Sequence, residues 1–149
     1  FILVITLMSF GWLTSSGQHL IGYNKDEVVK IVRTEMKGFS QDNSAVNPSF
    51  NYLKFINAPG TKTLIVFFNN SNESSNIRLV CDYSEYDFII KEYNTKFKPS
   101  GKSTWEYPYD CKMYQVTLEE KEWYFVVYIN EKPESSEPPK KSWLWKLLN

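Results

Sequence analysis

The sequence predicts an α+β domain, a single antiparallel sheet of five to six strands with two helices on one face, in the order α-β-β-β-α-β-β-β. Three observations predict it. Two stretches repeat apolar residues at helical spacing behind capping residues, and six others alternate or run apolar at strand spacing. Short connections between the strand stretches favour antiparallel neighbours, and two amphipathic helices can cover one face of such a sheet. A chain of 149 residues, 42% hydrophobic and 17% aromatic, has enough apolar material for one core with terminal appendages.

The first helix opens at Asn24, a good N-cap. Glu27 lies three residues on, where its carboxylate can reach back to the cap N–H, and Tyr23 and Val28 flank the pair as a hydrophobic staple. Val28, Ile31, Val32 and Met36 continue at helical spacing, and Gly38 marks a stop. Residues 40–49 are polar, end in Asn47-Pro48 and read as a loop. A hairpin follows: strand 50–57, turn chemistry in Ala58-Pro59-Gly60-Thr61, and strand 62–69. Leu64 to Phe68 is apolar at every position, as expected of a central strand at least partly covered on both faces. After a polar loop at 70–75, whose two Asn-x-Ser matches arise readily by chance in such sequence, strand 76–83 alternates Ile77, Leu79, Cys81 and Tyr83 against Arg78, Val80 and Asp82.

The second helix is expected to be capped by Ser84, with Asp87 three residues on and Phe88, Ile89, Tyr93 and Phe97 as its apolar stripe. Pro99-Ser100-Gly101 ends it. Strands at 103–109, 111–119 and 122–130 close the domain, the last two joined by a tight turn near Glu120-Lys121. The two halves have the form of a degenerate α-β-β-β repeat, without residue identity to support it.

Both termini differ in character from this body, which is assigned to residues 18–130. Residues 1–17 are expected to be a secretory signal whose start lies upstream of Phe1. An uncharged apolar run, FILVITLMSFGWL, is followed by Thr14, Ser15, Ser16 and Gly17, which suits cleavage before Gln18 or after Ser16. The run is shorter than the roughly 20 apolar residues a membrane span needs. A buried N-terminal element is the alternative. The predicted location is therefore secreted or periplasmic. Residues 131–139 form a Pro/Ser/Glu linker, and 140–149 a basic-aromatic tail. On a helix, Trp143, Leu144, Leu147 and Leu148 would share a face suited to peripheral membrane or partner contact. A segment this short is equally suited to packing on its own domain or fraying.

Chemistry is harder to find. Lys+Arg and Asp+Glu balance at 17 each, which argues against a nucleic-acid partner. His19 lies beside the expected cleavage site, in a region read as mobile, and lacks the orienting partner a catalytic histidine needs. The scattered glycines form no phosphate-binding loop. No catalytic residue, cofactor site or metal site is assigned, because the two cysteines and one distant histidine fall short of a structural zinc set. Cys81 and Cys111 form one disulfide if export holds, or remain two buried thiols. A hydrolase using two of Asp82, Glu85, Asp87, Glu106, Asp110 and Glu119 would need them in one cleft. The feature that stands out is aromatic: Trp105, Tyr107, Tyr109, Tyr114, Tyr124 and Tyr128 are candidates for one binding face, recognising a protein or glycan in the envelope or outside the cell. Equally, these rings can cover core edges.

Gly22, Glu27 and Val28 form a Gly-x-x-x-x-Glu-Val start to the first helix, after the leader. In this the chain resembles small exported bacterial α+β modules of the β-lactamase-inhibitor-like and outer-membrane-assembly-lipoprotein kinds. The resemblance covers only the first helix. It implies a non-catalytic binding or assembly module and carries over no functional residues. The lipid-attachment cysteine of the lipoprotein members is missing, so anchoring is not implied.

Overall fold

The structure, a computed structural model, describes residues 19–44, 47 and 49–133. The expected leader, the tail and all of the linker after residue 133 lie outside the described residues.

Helix α1 (Lys25–Glu35) begins at the expected cap. The Glu27 N–H donates to Asn24 Oδ1 at 3.0 Å, and the Asn24 N–H donates to Glu27 Oε2 at 2.9 Å. Val28, Val32 and Met36 bury its apolar stripe. Gly38, at φ +101°, then turns the chain sharply into β1 (Phe39–Gln41). Strands β2 (Tyr52–Asn57) and β3 (Lys62–Phe68) form the expected hairpin, and β4 (Ser74–Asp82) returns alongside. A turn of 3-10 helix (Tyr83–Glu85) leads into α2 (Tyr86–Lys96), and β5 (Lys98–Gly101), β6 (Thr104–Tyr109), β7 (Lys112–Glu120) and β8 (Tyr124–Glu131) complete the chain.

The eight strands form one antiparallel sheet in the order β1-β2-β3-β4-β8-β7-β6-β5. This corrects the expected five to six strands. The two additional ones, β1 and β5, are the edges of the sheet. Each is three or four residues long, largely exposed and without apolar alternation. Backbone pairing to a neighbour creates them, so their side chains carry no strand signal. Pro99 is tolerated in β5 because an edge strand has one unpaired side.

The element order is therefore a helix and four strands, twice, with the final strands of the halves paired at the centre. Counting outward through the ladders from the central Arg78–Tyr128 pair matches Ile77 with Val127, Leu64 with Val116 and Phe55 with Trp105. The repeat lies in topology and core position, where apolar residues substitute freely for one another.

Strand alternation divides the sheet into two faces. One carries Phe55, Leu64, Val66, Ile77, Leu79, Cys81, Val116, Leu118, Phe125, Val127 and Ile129, and both helices pack on it to form a single core. Leu20 joins that core, fastened by Ser74: the Gly22 N–H donates to Ser74 O and the Ser74 N–H to Tyr23 O, each at 2.8 Å. The second helix is not capped by Ser84. Asp82, two residues earlier, caps the 3-10 turn instead, accepting from the Ser84 N–H at 2.8 Å, and α2 follows from Glu85 without a side-chain cap.

Candidate functional site

The six rings expected on one face are divided between the two faces of the sheet. Trp105, Tyr107 and Tyr114 point toward the helices and are 3%, 6% and 4% exposed. They continue a column of rings begun by α2. Tyr93 meets Trp105 edge-on at 5.5 Å, Phe97 stacks on Tyr107 at 4.7 Å, and Tyr107 stacks on Tyr114 at 5.3 Å. Burial pushes the Tyr93 and Tyr107 hydroxyls well above their ordinary pKa, so both rings stay neutral. Tyr109 is half-buried at the edge of the same column. Only Tyr124 and Tyr128 occupy the opposite face. Alternation tells which residues of a strand share a side; it does not tell which side a distant helix will cover.

Other candidates also move. The His19 ring packs on Tyr109 at 4.2 Å. Burial lowers its pKa, partly offset by the charge of Glu35. Cys81 and Cys111 are both free thiols, Cys81 buried in the core and Cys111 exposed at the β6–β7 turn. Among the six acids, Asp82 is occupied as a cap and Glu85 pairs with Lys62 at 3.0 Å while accepting from the Thr61 hydroxyl at 2.7 Å. Glu106 pairs with Lys132 at 2.7 Å, and Glu119 pairs with Lys121. A groove between α1 and β1 is lined by Val29, Arg33, Phe39 and Gln41 and contains none of these acids. No group of three or more His, Cys, Asp or Glu residues is placed to hold a metal among the described residues.

The face opposite the helices is the surface with unusual composition. It presents Tyr52, Lys54 and Ile56 from β2, Thr63, Ile65 and Phe67 from β3, and Asn76, Arg78 and Val80 from β4. Val126 and Tyr128 of β8 continue it, with Val80 directly opposite Val126. Arg78 is at its centre. Its guanidinium carbon lies 4.6 Å from the Phe67 centroid and 5.6 Å from that of Tyr128, so two rings grip the cation. Tyr52 supports Phe67 from the far side, with centroids 5.9 Å apart.

The charges around Arg78 are paired. Lys54 bonds Asp42 at 2.8 Å and, with the bonds from Ser44, holds that carboxyl well below the usual range. Glu119 accepts from Lys121 and from the Tyr128 hydroxyl, which hold it low as well. Arg78 itself makes no ion pair among the described residues. Sequence reasoning placed Arg78 and Val80 on one side of a strand but did not single them out. Their apolar neighbours come from β3 and β8, the latter about fifty residues away.

No protein-family model, curated relative or solved structure matches this chain.

Proposed function

We propose that this chain is an exported, non-catalytic binding module that recognises another protein through the sheet face that neither described helix covers. The observation that supports this reading is the row of half-buried apolar and aromatic side chains on that face: Tyr52, Ile65, Phe67, Val80 and Tyr128, packed around a buried Val126. A sheet face left to water normally alternates to polar residues, and contiguous apolar surface rimmed by polar groups marks interaction sites. A protein ligand fits better than a glycan. Sugar recognition uses open ring faces, whereas Phe67 and Tyr128 already direct theirs at Arg78. Four of the six acids that a hydrolase would draw on, Asp82, Glu85, Glu106 and Glu119, are engaged in a cap or in ion pairs, which favours binding over catalysis.

The reading is tested by placing a photoreactive benzoylphenylalanine at Ile65 in the native host, with Lys91, on the exposed side of α2, as the control position. A discrete adduct from position 65 alone is the expected result. Equal adducts from both positions, or none from Ile65, would overturn it.

A further inference from the structure

We infer that the partner presents a carboxylate side chain, flanked by apolar residues, to the Arg78 guanidinium. The inference rests on the protein-binding reading of the uncovered face and names what that face selects. Its warrant is charge complementarity. Arg78 is the central charge of an apolar surface, and the charges nearest it on this face in the strand register, Lys54 and Glu119, are each neutralised by a partner within the chain. Arg78 has no such partner among the described residues.

The rings determine the geometry of recognition. Phe67 and Tyr128 hold the guanidinium carbon at 4.6 and 5.6 Å. Stacking uses the flat faces of a guanidinium and leaves its N–H edges, the donors that match the two oxygens of a carboxylate, for a ligand. Because the rings restrain the fork before binding, less rotamer entropy is lost when the carboxylate arrives. Ile65 and Val80 flank Arg78 and exclude water from the pair once apolar neighbours of the carboxylate settle on them. Net charge is zero over the whole chain, so a polyanion would find no extended basic track beside this one cation.

The test uses nuclear magnetic resonance of the isotope-labelled full chain, titrated with the capped peptide Ser-Leu-Glu-Leu-Ser and with its Gln counterpart. The Glu peptide is expected to shift the Arg78 Nε–H and the Phe67 and Tyr128 amides. It should saturate them at about tenfold lower concentration than the Gln peptide, the ratio for one charge-assisted bond. Arg78→Gln should erase that preference, and so should Arg78→Lys, which keeps the charge but not the fork. Unchanged amide dispersion in both variants shows that they remain folded. Equal affinity for the two peptides overturns the carboxylate inference while leaving the protein-binding face intact. Larger shifts with inorganic phosphate or phosphatidylglycerol vesicles than with the Glu peptide also overturn it. So does a shift at Arg78 that grows with protein concentration alone, which would make a second copy the occupant. No response at Arg78 to either peptide rejects it as well, and the Ile65 adduct then decides the broader reading separately.

Discussion

The indole Nε1 of Trp105 donates to Asn94 Oδ1 at 2.8 Å, joining α2 to β6 where the indole is otherwise enclosed. Losing the acceptor leaves a buried N–H without a partner, which costs about 1–3 kcal/mol. Asn94→Ala is therefore expected to lower stability by about 1–2 kcal/mol, although Asn94 itself is exposed. Adding Trp105→Phe removes the orphaned donor, so the two losses should be less than additive. Urea unfolding of the single and double variants measures this.

Asn24 and Glu27 cap each other reciprocally at the start of α1, and Val28 in the next position is fully buried. Asn24→Ala should cost about 1 kcal/mol. Glu27→Ala should add a smaller loss of its own even in the Asn24→Ala background, because its carboxylate accepts from the backbone N–H of residue 24, which that substitution keeps. No further loss from Glu27→Ala in thermal unfolding would count against the reciprocal cap.

Asp110 and Cys111 both adopt left-handed backbone, at φ +47° and +60°, in the two-residue turn between β6 and β7. Such turns favour glycine, which adopts positive φ without steric penalty. Cys111→Gly should therefore stabilise the domain by up to about 1 kcal/mol, the left-handed penalty less the entropy glycine loses on folding. A neutral or destabilising effect in calorimetry would mean that the exposed side chain makes a contact worth keeping.

The two thiols should react very differently. Cys111 is exposed, whereas Cys81 is buried and its thiol is pushed up to about 12 by burial. A thiolate-selective disulfide reagent at pH about 8 is expected to titrate one thiol in the native protein and both after denaturation. Cys111→Ser should leave the native protein unreactive.

Acid stability should depend on Asp42. Hydrogen bonds from Lys54 and Ser44 depress its folded pKa far below the unfolded value near 4, so its contribution is present above that value. It is lost as pH falls toward the folded pKa. The stability gap between the wild type and Asp42→Asn should therefore be widest near neutrality and narrow below pH about 4, in urea midpoints taken across that range. A gap that widens in acid would reverse the assigned sign.

Much of the fold was legible because its signals are local. The α1 cap, the β2–β3 turn and the alternation of β6 to β8 depend on residues a few positions apart, and each occurs where expected. The edge strands were not legible, since Phe39–Gln41 and Lys98–Gly101 become strands only by pairing with neighbours. Alternation was enough to put Tyr124 and Tyr128 on one side of β8, the side opposite Phe125, Val127 and Ile129. The candidate site was misjudged for Trp105, Tyr107 and Tyr114, because the side on which α2 packs is not written in the strand's own alternation.

The amino-acid order by itself determined an α+β chain with two amphipathic helices and alternating strands, because capping and periodicity are satisfied within a few residues. Tertiary structure decided that β4 meets β8, which rings of β6 and β7 the helices bury, and that Arg78 is held between Phe67 and Tyr128. Those contacts join residues far apart in the chain. They form only when the apolar faces of both halves are buried together, on the side of the sheet where both helices pack.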